Sequence, residues 1–229
     1  MNETHRTMQA VLLDLDGTLL ASRDGIIASL RAALRELGRE PDPAQDLDWV
    51  IGPPLPDVMA KLLGEFGDDR VEMAITAYRR QYESSGLDSP LFPGVPALME
   101  QLAGSGRRVF LATSKPVHLA RRILSLHRLT GYFHGMYGAR PDDSGAEKPE
   151  LIADLLAREA VDPRRSVMVG DRRYDISGGH ANGMRAIGAL WGYGSREELE
   201  EAGADALADS PTELFGVIED QLAAASLHA

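Results

Sequence analysis

Two acidic side chains stand one residue apart directly after an apolar run, and this pair is the part of the sequence best suited to chemistry. The run 11–13 is Val-Leu-Leu, Asp14 and Asp16 come next on either side of a leucine, and Gly17 follows at once. Such a run is typical of a strand that is buried on both faces. Because side chains alternate along a strand, both carboxylates should point to the same side of it. Two like charges so close are costly unless a cation or a proton compensates them, so the pair predicts a metal site or acid–base chemistry.

Two more polar residues occupy equivalent places at the ends of apolar runs. Thr113 and Asp171 each close a short run that is rich in valine, leucine or methionine. In open parallel sheets, the functional site lies outside the carboxyl ends of the strands. We therefore expect Thr113 and Asp171 to meet Asp14 and Asp16 at one edge of a sheet.

Helical and strand patterns alternate along the second part of the chain, from Phe92 onward. Helices are expected at residues 95–103, 117–126, 150–159 and 176–182, and strands at residues 108–113, 132–138, 166–171 and 185–190. This alternation predicts an α/β fold with a doubly wound parallel sheet.

The stretch from residue 22 to residue 88 has a different pattern, in which apolar residues recur at helical spacing. Ser22 is a candidate cap for the first of three helices, and Gly38 is expected to end that helix. Gly52 lies in a proline-rich loop that we expect to point into the substrate cleft. No part of this stretch reads as a strand. The predicted domains are an α/β core formed by residues 1–20 and 89–229 and an inserted α-helical cap formed by residues 21–88.

The composition limits the classes of function. The chain has 229 residues, a formal net charge of -11 and no cysteine. The lack of cysteine excludes disulfides, thiolate metal sites and cysteine nucleophiles. The negative charge disfavours a nucleic-acid polymer as a partner, because phosphate backbones bind basic surfaces.

The sequence also carries expectations about location and assembly. The residues from Met1 to Met8 are polar and lack the apolar centre of a signal peptide, and no stretch of the chain is long and apolar enough to span a membrane. We therefore expect a cytoplasmic protein with no membrane partner. Its oligomeric state, monomer or homodimer, is left open.

Four short motifs, taken in order, resemble those of the haloacid dehalogenase superfamily. They are Asp14-Leu15-Asp16-Gly17-Thr18, Leu111-Ala112-Thr113-Ser114-Lys115, Glu147-Lys148-Pro149 and Gly170-Asp171-Arg172-Arg173-Tyr174-Asp175. The motifs cover the α/β core, and the helical stretch after the first motif is similar to the cap of this superfamily. The resemblance implies a Rossmann-like core with an inserted cap. It also implies a phosphatase that is similar to phosphoglycolate phosphatases or to a neighbouring 5'-nucleotidase-like group.

The resemblance further implies a role for each motif residue in phosphoryl transfer. Asp14 would attack phosphorus to form an aspartyl-phosphate, and Asp16 would protonate the leaving alcohol and later activate water. The implied cofactor is Mg²⁺, which prefers oxygen ligands. The implied metal ligands are Asp14, Asp171 and the main-chain carbonyl of Asp16, with Asp175 beside the metal or as a further ligand. The other implied catalytic and substrate-binding residues are Thr113, Lys148, Gly17, Thr18, Ser114 and Lys115.

The expected partner is a small-molecule phosphate monoester whose identity depends on the cap. A carboxylate such as that of 2-phosphoglycolate would need a cation there, and the candidates are Arg79 first, then Arg23, Lys61 and Arg80. A nucleotide would instead need an aromatic platform, for which the candidates are Trp49, Tyr78 and Tyr82. Gly52 is expected to lie against the substrate. A phosphomutase of the same superfamily and a non-catalytic binding protein remain alternatives.

Overall fold

A six-stranded parallel sheet forms the centre of the protein in the computed structural model, which describes residues 9–142 and 144–226. Its strands are β1 (Ala10–Leu13), β2 (Arg108–Pro116), β3 (Gly135–Ala139), β4 (Ser166–Gly170), β5 (Arg185–Ala189) and β6 (Ala206–Ala208). They lie in the order β3-β2-β1-β4-β5-β6, and every neighbouring pair runs parallel. The doubly wound parallel sheet that the sequence predicts is confirmed.

Helices cover both faces of this sheet. The helices of the described ranges, in chain order, are α1 (Arg23–Glu36), α2 (Leu55–Gly64), α3 (Val71–Gln81), α4 (Val95–Gly104), α5 (Val117–Leu126), α6 (Lys148–Glu159), α7 (Arg173–Ala181), α8 (Arg196–Glu201) and α9 (Pro211–Ser226). Val11 and Leu13 belong to the hydrophobic cluster that includes α4, α5 and α9, whereas Ala10 and Leu12 belong to a cluster with α6. Alternation along β1 therefore buries all four of its residues, which explains why the strand has no polar side chain.

The central position of β1 determines where the polar residues come together. β1 pairs with β2 on one side and with β4 on the other, and the amide of Asp14 donates to the Val169 carbonyl at 2.9 Å. The order of the strands reverses at β1, and ligands bind at such a point in open α/β sheets. The residues that follow β1, β2 and β4 therefore emerge at one edge of the sheet.

A helical segment is inserted in the chain between β1 and α4. It contains α1, α2 and α3, and none of the described residues from 21 to 88 lies in a strand. A 3₁₀ turn (Asp48–Val50) precedes α2, and a π-helical turn (Tyr82–Gly86) extends α3. We call residues 23–86 the helical insert.

The two chain segments that connect the helical insert to the sheet lie side by side. The amide of Ala21 donates to the Pro90 carbonyl at 2.8 Å, and the amide of Phe92 donates to the Leu19 carbonyl at 3.0 Å. The insert therefore leaves and rejoins the sheet at one point. Its division from the core as a separate domain stays a prediction.

The structure departs from the sequence patterns in three places. After residue 190 the patterns predict no further element, yet α8, β6 and α9 are present. β3 begins at Gly135 rather than near residue 132, because Thr130–Tyr132 forms a 3₁₀ turn. Ser22 precedes α1, but its hydroxyl makes no capping hydrogen bond. None of these differences alters the strands that end at the polar edge.

No helix in the described ranges is long and apolar enough to cross a membrane. The polar segment from Met1 to Met8 lies outside those ranges.

Candidate active site

Three buried carboxylates meet at the edge where β1 and β4 end. Asp14 follows β1, Asp171 follows β4, and Asp175 lies in the first turn of α7. Each offers an oxygen atom within 4.8 Å of those of the other two. Asp14 and Asp171, which follow neighbouring strands, therefore lie together at this edge with Asp175.

The ammonium group of Lys148 lies among these carboxylates. Its Nζ is 2.7 Å from Asp14 Oδ1 and 2.5 Å from Asp175 Oδ1, and it also donates to the Ala112 carbonyl at 2.8 Å. Lys148 begins α6, so this helix carries the cation to the strand ends. With three carboxylates and one ammonium all ionised, the cluster keeps two uncompensated negative charges.

Burial of this charge shifts the protonation of the acids. Burial raises the pKa of Asp14 to about 7, although the attraction of Lys148 opposes the rise. The pKa of Asp171 is also raised well above its usual value, by burial first and then by Asp175 and Asp14. Three hard oxygen donors with an excess of negative charge fit a divalent cation such as Mg²⁺. Asp14, Asp171 and Asp175 are the residues that could hold it.

The loop after β5 helps to orient Asp171. The amide of Tyr193 donates to Asp171 Oδ2 at 2.8 Å, and the hydroxyl of Thr18 donates to Oδ1 at 3.3 Å. Gly17 has a φ of +85°, and a Cβ atom there would lie 2.2 Å from Asp171 Oδ2, so only glycine lets the first motif approach this carboxylate. The sequence patterns do not indicate the contact of Tyr193, because it comes from a main-chain amide of a distant loop.

The end of β2 supplies a hydroxyl and a second cation. Thr113 is buried, and its hydroxyl oxygen accepts from the amide of Lys115 at 3.2 Å. The hydroxyl of Ser114 donates to the Ala146 carbonyl at 2.9 Å. The Nζ of Lys115 lies 2.8 Å from Asp16 Oδ2, so the second acid of the first motif has its own cation.

A cleft opens between this polar edge and the helical insert. Seven predicted site residues of the α/β core line it: Asp14, Asp16, Thr113, Ser114, Lys115, Lys148 and Asp175. From the insert, Gly52 and Arg79 also line it, and their contact with a substrate stays a prediction. Asp171, Gly17 and Thr18 are not among the described residues that line it, and the Gly17 amide donates to the Leu20 carbonyl at 2.9 Å. Gly17 and Thr18 lie close to the Asp171 carboxylate, and their contact with a substrate stays a prediction.

The helical insert covers the cleft mainly with apolar and aromatic side chains. These are Ile26, Leu30, Val50, Ile51, Leu55, Val58, Tyr78 and Tyr82. The rings of Tyr78 and Tyr82 are stacked, with centroids 5.6 Å apart and planes 21° apart. Tyr82 is buried and Tyr78 is partly exposed, so Tyr82 supports a ring that borders the cleft. We call this surface of the insert the roof.

An arginine of the fourth motif connects the loop before α2 to the core through hydrogen bonds. The guanidinium of Arg172 donates to the carbonyls of Asp48, at 3.1 Å, and Ile51. Gly52 has a φ of +111°, and a Cβ atom there would lie 3.1 Å from Arg172 Cγ and 3.2 Å from Tyr174 Cδ2. The sequence contains Arg172 in a recognised motif but does not indicate this contact, because its partners are main-chain atoms of a distant loop.

The cationic side chains of the insert differ in their positions. Arg79 lines the cleft. Arg23 pairs with Asp48, Arg80 pairs with Glu36, and the Nζ of Lys61 lies 3.8 Å from the centre of the Trp49 ring. Among the four candidate cations, Arg79 is therefore the one that the described structure brings to the cleft. Trp49, a candidate aromatic platform, is covered by Lys61 instead.

Comparison with known proteins gives consistent matches over the same region. The family model described as "Haloacid dehalogenase-like hydrolase" matches residues 11–189. A Pseudomonas aeruginosa protein named "5'-nucleotidase" is 39% identical over 191 residues, which are 82% of this chain and 86% of that protein. A Mycobacterium tuberculosis protein named "Tyrosine-protein kinase PtkA" is 36% identical over 207 residues, which are 89% of this chain and 69% of that protein. Proteins named "Phosphoglycolate phosphatase" match at 31% to 33% identity.

Solved structures match over almost the whole chain. The crystal structure of a predicted phosphatase from Clostridium acetobutylicum is 30% identical and superposes with a TM-score of 0.87. The match covers 93% of this chain and 99% of that one, so it includes both the sheet and the helical insert.

Proposed function

The chain belongs to the haloacid dehalogenase-like hydrolase family and is a phosphoric monoester hydrolase, and we propose that it cleaves small phosphate monoesters through an aspartyl-phosphate on Asp14 with the help of Mg²⁺. The observation that carries the proposal is the arrangement of Asp14, Asp171 and Asp175 around Lys148 at one sheet edge. Phosphoryl transfer depends mainly on positioning and on charge stabilisation, and this edge supplies both.

The three carboxylates would hold the metal ion. Asp14 and Asp171 would bind it directly with the main-chain carbonyl of Asp16, and Asp175 would lie beside it or bind as well. When bound, Mg²⁺ supplies positive charge that offsets the phosphoryl oxygens and the surrounding acids. The remaining chemistry belongs to side chains of this protein.

Asp14 is the nucleophile in this proposal. A carboxylate attacks phosphorus without first losing a proton to a base, provided that it is ionised. Lys148, 2.7 Å from Asp14 Oδ1, favours the ionised form and fixes the direction of that oxygen. The bond from phosphorus to the leaving alcohol oxygen breaks as the bond from Asp14 to phosphorus forms. Thr113 and Ser114, which line the cleft beside Asp14, would hold the phosphoryl oxygens.

Asp16 completes the two halves of the reaction. It would give a proton to the departing alkoxide, and then take a proton from the water that attacks the aspartyl-phosphate. The second attack regenerates Asp14 and releases inorganic phosphate. Asp16 lines the cleft, and Lys115 contacts both Asp16 and the roof residue Tyr82, so we place the leaving group between Asp16 and the roof.

The roof favours an aromatic or apolar leaving group. Its lining is apolar apart from Arg79 and the hydroxyls of Tyr78 and Tyr82, and the stacked tyrosines present one partly exposed ring. Flat rings pack well against such a surface, whereas a second anionic group would need more cations than Arg79. We therefore propose a nucleoside monophosphate as the preferred substrate class, ahead of 2-phosphoglycolate.

A panel of phosphate esters tests this proposal. Purified protein with Mg²⁺ is assayed for free phosphate release from nucleoside monophosphates, sugar phosphates and 2-phosphoglycolate, and kcat/KM is compared. We expect the highest kcat/KM for a nucleoside monophosphate, and a preference for 2-phosphoglycolate would contradict the substrate class. Release of free phosphate separates hydrolysis from a phosphomutase reaction, and tight binding without turnover would favour a binding protein. ATP with a tyrosine-containing protein acceptor is included because one relative is named a tyrosine-protein kinase.

A further inference from the structure

One ammonium group joins the two sides of the cleft. The Nζ of Lys115 lies 2.8 Å from Asp16 Oδ2 and donates to the Tyr82 hydroxyl at 3.0 Å. Asp16 and Lys115 belong to the sheet edge, whereas Tyr82 belongs to the π-helical turn of the insert. The insert therefore reaches the second acid of the first motif through Lys115.

This contact is removed from solvent. The exposed fraction of the side chain is 7% for Lys115 and 14% for Asp16, and Tyr82 is 1% exposed. Burial alone would lower the pKa of Lys115, but Asp16 and then the tyrosines outweigh it and raise that pKa above its usual value. A buried ion pair holds its geometry because either charge would be costly without the other.

The two oxygens of Asp16 have different surroundings. Lys115 holds Oδ2, whereas Oδ1 is buried and has no hydrogen-bond partner among the described residues. Asp16 lines the cleft beside the nucleophile Asp14. A carboxyl group with one oxygen held by an ammonium group and the other without a hydrogen-bond partner is suited to deliver a proton in a fixed direction.

The backbone around Lys115 is irregular. The pairing of β2 with β3 changes register between Thr113 and Pro116, so residues 114 and 115 bulge from the ladder. A Cβ atom on Gly138 of β3 would lie 2.5 Å from the Lys115 carbonyl oxygen, so glycine gives the bulge its space. Bulges of this kind redirect side chains beside active sites.

We infer that Lys115 is a positioning residue, which orients Asp16 toward the leaving-group oxygen and is itself held by the Tyr82 hydroxyl of the insert. The inference rests on the proposed phosphatase mechanism. It replaces the expectation, drawn from the family resemblance, that Lys115 binds the phosphate. Loss of Lys115 should therefore lower kcat/KM most for esters whose leaving group must be protonated.

Two esters of similar size separate these roles. p-Nitrophenyl phosphate releases a stable phenolate that needs no proton, whereas benzyl phosphate releases an alkoxide that does. We expect Lys115→Met to lower kcat/KM for benzyl phosphate by about 100-fold and for p-nitrophenyl phosphate by less than about threefold, because general acid help contributes about 10²–10⁴-fold. Asp16→Asn should give the same selective pattern with a larger loss.

Tyr82→Phe tests the contribution of the insert. It keeps the ring stacked on Tyr78 and removes only the hydroxyl that Lys115 contacts, so a selective loss of about 10-fold on benzyl phosphate is expected, within the general acid contribution. Tyr137→Phe is the matched control, since its hydroxyl donates to Glu159 Oε1 at 2.8 Å and it does not line the cleft. An unselective Tyr82→Phe result would overturn the part assigned to Tyr82. This variant also keeps the inference testable if Lys115→Met does not fold.

The results of these assays test the role of Lys115 separately from the proposed phosphatase mechanism. Suppose that the wild-type protein hydrolyses both esters. If Lys115→Met then slows the two reactions equally, or slows neither of them, the positioning role is overturned while the phosphatase mechanism stands. An equal loss would return Lys115 to phosphate binding. If the wild-type protein hydrolyses neither ester, or if Asp14→Asn retains the wild-type rate, the proposed mechanism fails and the inference fails with it.

Discussion

The sheet edge and the roof of the insert face each other across one cleft but differ in the polarity of their side chains. The edge is a cluster of buried charges: Lys148 contacts Asp14 and Asp175, and Lys115 contacts Asp16. The roof is apolar and aromatic, and three of its four candidate cations are paired elsewhere on the insert. The edge can therefore act on any phosphate, whereas the roof distinguishes what is attached to it.

This contrast implies that substitutions in the two regions change the activity in different ways. Loss of Asp14 or of the metal-binding acids should affect every substrate equally, because each one presents the same phosphoryl group, whereas the effect of losing Asp16 or Lys115 should depend on the leaving group. Damage to the roof should change the order of preference among substrates. Changes in the two regions, from the largest expected effect to the smallest, test the separation.

Asp14→Asn should have the largest effect, because an amide cannot attack phosphorus. We expect turnover of every substrate to fall by about 10⁴-fold or more, as is typical when an essential nucleophile is removed. The fold should persist, with a melting temperature at least as high as that of the wild-type protein, since burial disfavours the ionised carboxylate. Circular dichroism and steady-state kinetics check both statements, and appreciable activity in this variant would contradict the edge as the reaction centre.

Removal of divalent cations should also stop turnover of every substrate. Without a cation, the cluster of Asp14, Asp171 and Asp175 keeps its excess negative charge. Chelation followed by dialysis should abolish activity, and added Mg²⁺ should restore it. Calcium should support much less activity, because it accepts more ligands in a looser geometry. Full activity after chelation would show that the acids work without a metal.

A change in the roof should be selective. Tyr78→Ala removes the partly exposed ring of the stacked pair, so we expect kcat/KM for nucleoside monophosphates to fall by about 2- to 12-fold, which corresponds to about 0.5–1.5 kcal/mol for an aromatic pair. Hydrolysis of a small alkyl phosphate should change by less than about twofold by the same reasoning. Met73→Ala, an exposed position on α3, is the matched control. Equal losses on all substrates would mean that the roof also positions the catalytic residues.

The smallest expected effect concerns stability and pH. Burial raises the pKa of Asp14 from its ordinary value of 3.8 to about 7 in the folded protein, so the fold favours the protonated acid. In the presence of chelator, the contribution of Asp14 to stability should therefore be fully present below about pH 4 and should be lost as the pH rises through about 7. Mg²⁺ should reduce this fall, and Asp14→Asn should reduce it as well. Thermal melts of both proteins at several pH values measure the difference, and identical pH dependence would contradict the raised pKa.

The difference between edge and roof also decides what the sequence could predict. Asp14, Thr113 and Asp171 each follow an apolar run, so their convergence follows from the parallel sheet alone. The position of Lys148 is available only through the family resemblance, because it depends on how α6 packs on the sheet. The sequence does not predict the short strand β6, because its three residues, Ala-Leu-Ala, are too few to show a periodic pattern.

The roof was harder to predict because its contacts come from distant parts of the chain. Arg79 is the first candidate cation in the sequence, ahead of Arg23, Lys61 and Arg80, but only the tertiary structure shows that Arg79 lines the cleft and that the other three do not. The direction of Lys115 depends on a bulge in β2 and on a glycine of β3, neither of which has a local pattern. Sequence periodicity reports which face of an element is buried, but not which partner a charged side chain meets there.

The central claim is that the sheet edge transfers the phosphoryl group to Asp14, and trapping that intermediate tests it most directly. The variant Asp16→Asn, which is expected to lack the group that activates water, is mixed with p-nitrophenyl phosphate and Mg²⁺ and quenched in acid. Borohydride reduction then converts an aspartyl-phosphate to homoserine, and peptide mass spectrometry locates it. We predict homoserine at position 14 and an unmodified peptide when Asp14→Asn is added to the same variant. Turnover without modification at position 14, or modification at another residue, would contradict the account.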